Sequence, residues 1–280
     1  MPFLGSAPLV AAPYLWNGGS LADSFIATPE NWDPDGAPPS DLTTDLVFDG
    51  TARLAPNFSL PFSANSLTFN DNAAGKTLTV QNGGHAIFAD GYSQTTAATI
   101  NVSGSGSTFT TARGFEFLGN SALNITDGGS FSNSAWTNLA ASDWGNATVL
   151  VDGAGSSFST AEVFIGANGY TGTLTFANGT TGSIGYTGMA TSYGSTGRLH
   201  VQSGSTLTMC SLLLTQGYVG DNGGEFTVDG AGPVVTQTAG ALLILGDSGG
   251  SSANLTAGDG GTFTSGTGTV YLNESGTLSP

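Results

Sequence analysis

Short strands of alternating apolar and polar residues, separated by glycine-rich corners, recur along this chain with a period of about 25 residues. Aligned on the first strand of each unit, the text reads TLTVQNGGHAIF (77–88), INVSGSGSTF (100–109), LNITDGGSF (123–131) and VLVDGAGSSF (149–158). It continues as LTFANGTTGSI (174–184), LHVQSGSTL (199–207), FTVDGAGPVV (226–235) and NLTAGDGGTF (254–263). The anchors Val80, Val102, Ile125, Val151, Phe176, Val201, Val228 and Leu255 stand 22, 23, 26, 25, 25, 27 and 27 residues apart. No window keeps a 3.6-residue period, so the pattern predicts a solenoid of stacked β-coils.

Each unit divides into three short strands. In the first, as in Leu78-Thr79-Val80, both apolar ends point inward and the middle residue outward. A turn of Gly with Asp, Asn or Ser follows, supplying positive φ and side-chain hydrogen bonds to the backbone. The second strand carries one large apolar residue between hydroxyls (Phe109, Phe131, Phe158, Leu207, Phe263), and the third is an apolar run such as FEFLGN (115–120) or VFIGAN (163–168). Three strands and three corners predict an all-β fold: a right-handed, single-stranded parallel β-helix of about 8–9 coils. A strict hexapeptide pattern, which a left-handed coil needs, is missing. Residues 1–45 read as a lead-in and cap with Trp16 and Trp32, and 46–280 as the β-helix, regular from 77. VYLNESGTLSP (270–280) stops one strand into the next corner, which predicts self-association through an uncapped final coil or a longer parent chain.

Composition narrows the classes. Of 280 residues, 44 are Gly and only 9% are charged; 20 acidic against four basic residues give a net charge of −16. Nucleic-acid and anionic-membrane binding are disfavoured by that balance. The single cysteine, Cys210, allows no internal disulfide. No apolar run reaches membrane-helix length. The opening MPFLGSAPLVAAPYLW lacks a basic region and reads as a trimmed signal peptide or an extended arm.

The alternation of VDGAGSSF with FIGANGYTGTLTF resembles the bacterial repeat of autotransporter (type V secretion) passengers and PEP-CTERM surface proteins, best over 149–176. The front resembles the lead-in of such proteins, carried by Trp16, Gly18, Gly19, Asn31, Trp32, Pro38, Asp45, Val47 and Phe48. The resemblance implies an extracellular or outer-surface, non-enzymatic structural or adhesive protein with no shared catalytic residues. A translocator barrel and a PEP-CTERM tail are both missing from the sequence.

Local chemistry gives four candidates. Asp127 and Asp152 read as occupying one corner of successive coils, where they form a candidate calcium pair or cap their own turns; no other cofactor is indicated. Trp136, Trp144, Tyr170, Tyr186 and Tyr193 fall in long corner segments (133–146, 167–173, 185–196) that suit matrix or host glycans or proteins. Outward hydroxyls at Thr108/Thr110, Ser157/Ser159, Thr206/Thr208 and Thr262/Thr264 form a ladder like that of ice-binding solenoids, with Gly182-Ser183-Ile184-Gly185 and Pro233-Val234-Val235 read as interruptions. His85 and His200 read as solvated surface residues. No Asp-Asp, Gly-His-Gly or Arg-x-Lys text supports an active site, so polysaccharide binding or degradation and ice binding stand as alternatives to the structural role.

Overall fold

The computed structural model describes residues 12–49, 55–58, 60–70, 77–88, 93–140, 145–192, 194–214, 222–238, 243–245, 252–266, 270–272 and 276–279. It is a β-solenoid of stacked parallel strands. The first strands of the coils form a 10-stranded sheet, and the second and third strands share a 17-stranded sheet. Among the described residues, helical structure is limited to one 3-10 turn, Pro29–Asn31.

Alternation produces this arrangement directly. Thr77–Gln81 and Thr99–Ser103 both bury their second and fourth residues, and register pairs Leu78 with Ile100 and Val80 with Val102. The anchor series holds in register from Val80 to Val228. It fails at the last step: Val228 pairs with Ala257, and Leu255 pairs with Phe226. A slip of two residues preserves the inward and outward faces, so alternation alone cannot detect it.

The three-strand coil is also corrected. In the middle of the rod the second and third strands are continuous, as Ser130–Leu139, Ser157–Ile165, Thr181–Met189 and Thr206–Leu214. The expected corner survives as a bend within each strand. Ser134 and Ala135 there oppose the single residue Ala161. Buried Asn133 holds the bend: its Nδ2 donates to the Trp136 carbonyl (2.9 Å) and its Oδ1 accepts from the Ala135 N–H (2.8 Å).

The turn between first and second strands is tied to its neighbour by a buried serine. Ser156 Oγ donates to the Asp152 carbonyl at 2.8 Å and accepts the Gly128 N–H of the preceding coil at 3.0 Å. Ser107 accepts the Gly83 N–H in the same way, at 3.1 Å. The serine of the GxGS phrase therefore pairs a half-buried backbone donor of the neighbouring corner.

Phenylalanines fill the core. Phe109, Phe131 and Phe158 lie in register, stacked at 5.9 and 5.0 Å between ring centroids. The next position in this column is Gly182. A Cβ there would lie 2.6 Å from the ring of Phe176, which comes from the first strand of the same coil, where the neighbouring coils have Val151 and Val201. The core trades a valine–phenylalanine pair for a phenylalanine–glycine pair across the same gap.

At the N-terminal end, Ala12–Trp16 pairs parallel with Thr44–Phe48, adding a rung of the lead-in to the larger sheet. Trp32, on a short strand antiparallel to the first, packs edge-on against Trp16 at 5.1 Å. Both indoles are buried, and Trp32 Nε1 donates to the Ile26 carbonyl at 2.8 Å. They meet Phe48, which stacks on Phe69 at 4.7 Å. The lead-in tryptophans thus cover the first coil's core.

Candidate functional site

Positions held inward by the repeat are committed to packing, so chemistry must come from outward residues and corners. The second-strand face is the most regular of these surfaces. Register aligns Thr110, Ser132, Ser159, Ser183, Thr208, Thr236 and Thr264 in one continuous column. A second column runs Thr108, Ser130, Ser157, Thr181, Thr206, Val234 and Thr262. The interruption expected at 182–185 does not occur, because Gly182 takes the inward position and leaves Thr181 and Ser183 outward. Val234 alone breaks the grid between Thr108 and Thr262.

The turn carboxylates do not stack as the sequence suggests. Asp152 pairs with Thr126 and Ala177, which puts Asp127 one residue out of register. Asp127, at φ +54°, accepts from Ser103 Oγ of the preceding coil at 3.0 Å. Asp152 accepts from Asn178 Nδ2 of the following coil at 2.6 Å. The two carboxylates are engaged in opposite directions along the rod. Among the described residues, no group of three His, Cys, Asp or Glu converges as a metal site.

Both histidines cap neighbouring threonines. His85 Nδ1 lies 2.7 Å from Thr108 Oγ1 and His200 Nδ1 2.5 Å from Thr227 Oγ1. Partial burial holds the His200 imidazole below its usual pKa, against the opposing pull of Glu225 and Asp229; Arg198 adds to the lowering. Arg198 and Glu225 pair at 3.4 Å beside it.

A chemically mixed surface lies on the outward side of the third strands. One column there is Glu116, Asn138, Phe164 and Gly188; its neighbour is Trp136, Glu162, Tyr186 and Ser211. The three aromatic residues alternate between the two columns over three successive coils. Phe164 and Tyr186 rings are 5.8 Å apart between centroids. Two of the rings lie over a glycine of an adjacent coil. A Cβ on Gly114 would come within 2.0 Å of Trp136 Cζ2, and one on Gly188 within 3.0 Å of Phe164 Cδ1. Asn138 Nδ2 donates to Glu116 Oε1 at 3.2 Å, while its Oδ1 is shielded and accepts no hydrogen bond. Trp136, Asn138, Phe164, Ala167 and Thr191 line a shallow groove of about 350 Å³.

Two of the five aromatic candidates, Trp136 and Tyr186, meet here, in strands rather than in corners. The bend at Asn133 falls earlier than the sequence suggests, which moves both into the third-strand face. Tyr170 stands apart, half-buried against the core. Trp144 and Tyr193 lie outside the described residues. Phe164, Glu116 and Glu162 were missed; the signal for Phe164 and Glu116 was outward parity within VFIGAN and FEFLGN, and Glu162 directly precedes the first of these.

A second concavity of about 480 Å³ lies where the lead-in meets the first coil, lined mainly by Phe25, Ile26, Pro38, Phe58, Pro61 and Phe62.

No protein-family model and no curated protein matches the chain. A solved structure of a TibC-catalysed, hyper-glycosylated TibA fragment is similar over 85% of each chain, at 17% identity and a TM-score of 0.30.

Proposed function

We propose that this chain is a non-enzymatic structural or adhesive β-helix of a bacterial outer surface or secretion, presenting an acidic, hydroxyl-rich exterior. The observation that carries the reading is the division of labour along the solenoid. Inward positions pack a continuous core, and outward positions form long ladders of hydroxyls and amides suited to an extended interface. The net charge of −16 keeps such a rod soluble and repels anionic surfaces. Protease shaving and impermeant labelling of intact source cells test the location. Incubation with neutral and acidic polysaccharides, with detection of new reducing ends, tests the chemistry. Exclusive recovery from the cytoplasm, or release of reducing ends, overturns the reading.

The unbroken column from Thr110 to Thr264 favours a second reading, binding to ice through a flat hydroxyl lattice. Strand geometry sets its spacings at about 4.8 Å between coils and about 6.6 Å along a strand. Thermal hysteresis indistinguishable from buffer at millimolar protein would remove it.

A further inference from the structure

We infer that the cleft between the lead-in and the first coil is a docking site for a partner polypeptide, through a segment whose apolar centre is flanked by Lys or Arg. The inference deepens the adhesive reading by naming a partner's chemistry, and it rests on that reading.

Hydrogen bonds fix both lead-in walls of the cleft. On one side Phe25 bridges to Asn57 of the first coil: Asn57 N–H donates to the Ser24 carbonyl at 3.0 Å, and Ile26 N–H to the Asn57 carbonyl at 3.2 Å. Asn31 Nδ2 donates to the Phe25 carbonyl at 3.2 Å. On the other side Ser63 N–H donates to Ser40 Oγ at 3.0 Å. Gly36 N–H, donating to the Pro29 carbonyl at 3.2 Å, joins the two lead-in segments. Ile26, Phe58 and Phe62 form the buried part of the lining, with the two rings 5.5 Å apart. Phe25 and Leu60 form its exposed part, at 43% and 66%. At about 480 Å³ the cleft falls within the range of clefts that hold ligands, roughly 300–1,000 Å³. A cleft held in shape beforehand loses little ordering entropy on binding.

Apolar exposure is concentrated at this end of the rod. Among the described residues eight large apolar side chains are exposed, and five of them, Leu15, Leu21, Phe25, Leu42 and Leu60, belong to the lead-in and first coil. Exposed apolar surface rimmed by polar residues marks contact with a protein or a membrane. Charge decides between them. Among the described residues from 12 to 70, seven are acidic and none is Lys, Arg or His. The carboxylates flank the lining: Asp23 accepts from Thr28 Oγ1 at 2.7 Å, Asp41 directly follows Ser40, and Glu30 and Asp35 stand two residues from Thr28 and Ala37 in the chain. That field repels anionic lipid, nucleic acid and acidic partners. A second copy brings the same acidic lead-in, on a chain with four basic residues against 20 acidic. A glycan would leave hydroxyls unpaired against Phe, Ile, Pro and Leu. A basic segment with an apolar centre satisfies the lining and the flanking charge together.

The test is fluorescence anisotropy of a labelled heptapeptide, Leu-Phe-Leu flanked on each side by two lysines, titrated with the full chain. Saturable binding is expected, weakened about tenfold or more by Leu60→Ser and by Phe25→Ala. Glu30→Gln combined with Asp35→Asn should weaken it about threefold or more at low salt. Asp259→Asn, which removes a charge at the far end of the rod, should leave it unchanged. Because Phe25→Ala also alters the wall, hydrogen exchange on the wild-type chain gives a second readout, with protection by the peptide expected over 24–31 and 60–64. No saturable binding, unchanged affinity in folded Leu60→Ser, or protection confined elsewhere overturns the inference. Equal affinity for the same centre flanked by glutamates, or for the same lysines around Ser-Gly-Ser, does so too. Phenethylammonium that displaces the peptide at equal concentration would make this a site for a small cation. Binding to phosphatidylcholine vesicles, or dimerisation, lost in Leu60→Ser would put a membrane or a second copy there instead; each of these also overturns the inference. Recovery from the cytoplasm, or release of reducing ends from polysaccharide, would sink the surface reading while leaving this site standing. Failure of the peptide to bind removes this site and leaves the structural rod.

Discussion

Phe176 and Gly182 offer the most demanding test of the core. They face one another within one coil, and the flanking coils put valine and a large residue in the same two places: Val151 with Phe158, and Val201 with Leu207. Replacing Phe176 by Val removes four carbons opposite a residue with no side chain. At about 0.8 kcal/mol per buried methylene the transfer loss is about 3 kcal/mol, and a residual cavity of about 50 Å³ adds about 1 kcal/mol. Replacing Gly182 by Phe drives atoms into the existing Phe176 ring, since even a Cβ would sit 2.6 Å from it. Overpacking of this kind costs about 1–3 kcal/mol or more. Combined, Phe176→Val and Gly182→Phe recreate the neighbouring coil's pair and extend the phenylalanine column. The double variant should lie within about 1.5 kcal/mol of wild type, at least about 2 kcal/mol more stable than the sum of its parts. Urea unfolding, with hydrogen exchange read over 171–189, measures the cycle. Additive losses would refute the facing arrangement.

Three further outcomes follow from the corners and outer ladders. Ser156→Ala removes the acceptor of the half-buried Gly128 N–H and should cost about 0.5–1.5 kcal/mol, read as a lower Tm; an unchanged Tm means that the N–H finds another acceptor. His200 is held neutral by burial, with its folded pKa below the usual value, so the unfolded chain takes up its proton first. Stability from this group is present above about pH 6.5 and lost as pH falls from there through the folded pKa. His200→Gln should flatten that part of the urea-midpoint profile, and an unaltered profile refutes the assignment. Excess chelator should leave Tm unchanged, because Asp127 and Asp152 are already satisfied by Ser103 and Asn178; a fall of several degrees would show that calcium holds the corners.

The fold was legible because a solenoid repeats its instructions. Inward and outward parity, the glycine corners and the phenylalanine column each appear several times, so accidental features average out. Two errors share one origin. The last anchor slipped by two residues, and the Thr181/Ser183 hydroxyl pair was read as an interruption, because both depend on which coil residue lies beside which. Parity is local, whereas register is set by corner length and by the backbone hydrogen bonds that a coil finds in its neighbour. The offset of Asp127 from Asp152 is the same kind of error, made where corner lengths differ.

The aromatic face was half legible for a related reason. Trp136 and Tyr186 stood out as rare residues, but the sequence put them in corners, because nothing local marks Asn133 as the residue around which a continuous strand bends. Phe164 was unremarked because an apolar residue in an apolar strand looks like core. What separates it from core is a feature of the next coil: Gly188, its register partner, has no side chain, and the ring occupies that space. The same exchange operates inside the rod, where Phe176 fills the gap left by Gly182. Glycine in these strands therefore marks places where a neighbour's ring is accommodated. When the glycine points inward the ring joins the core. When it points outward the ring fills a notch in the outer face instead, as Phe164 does beside Gly188, and the third-strand face gains its shallow groove there.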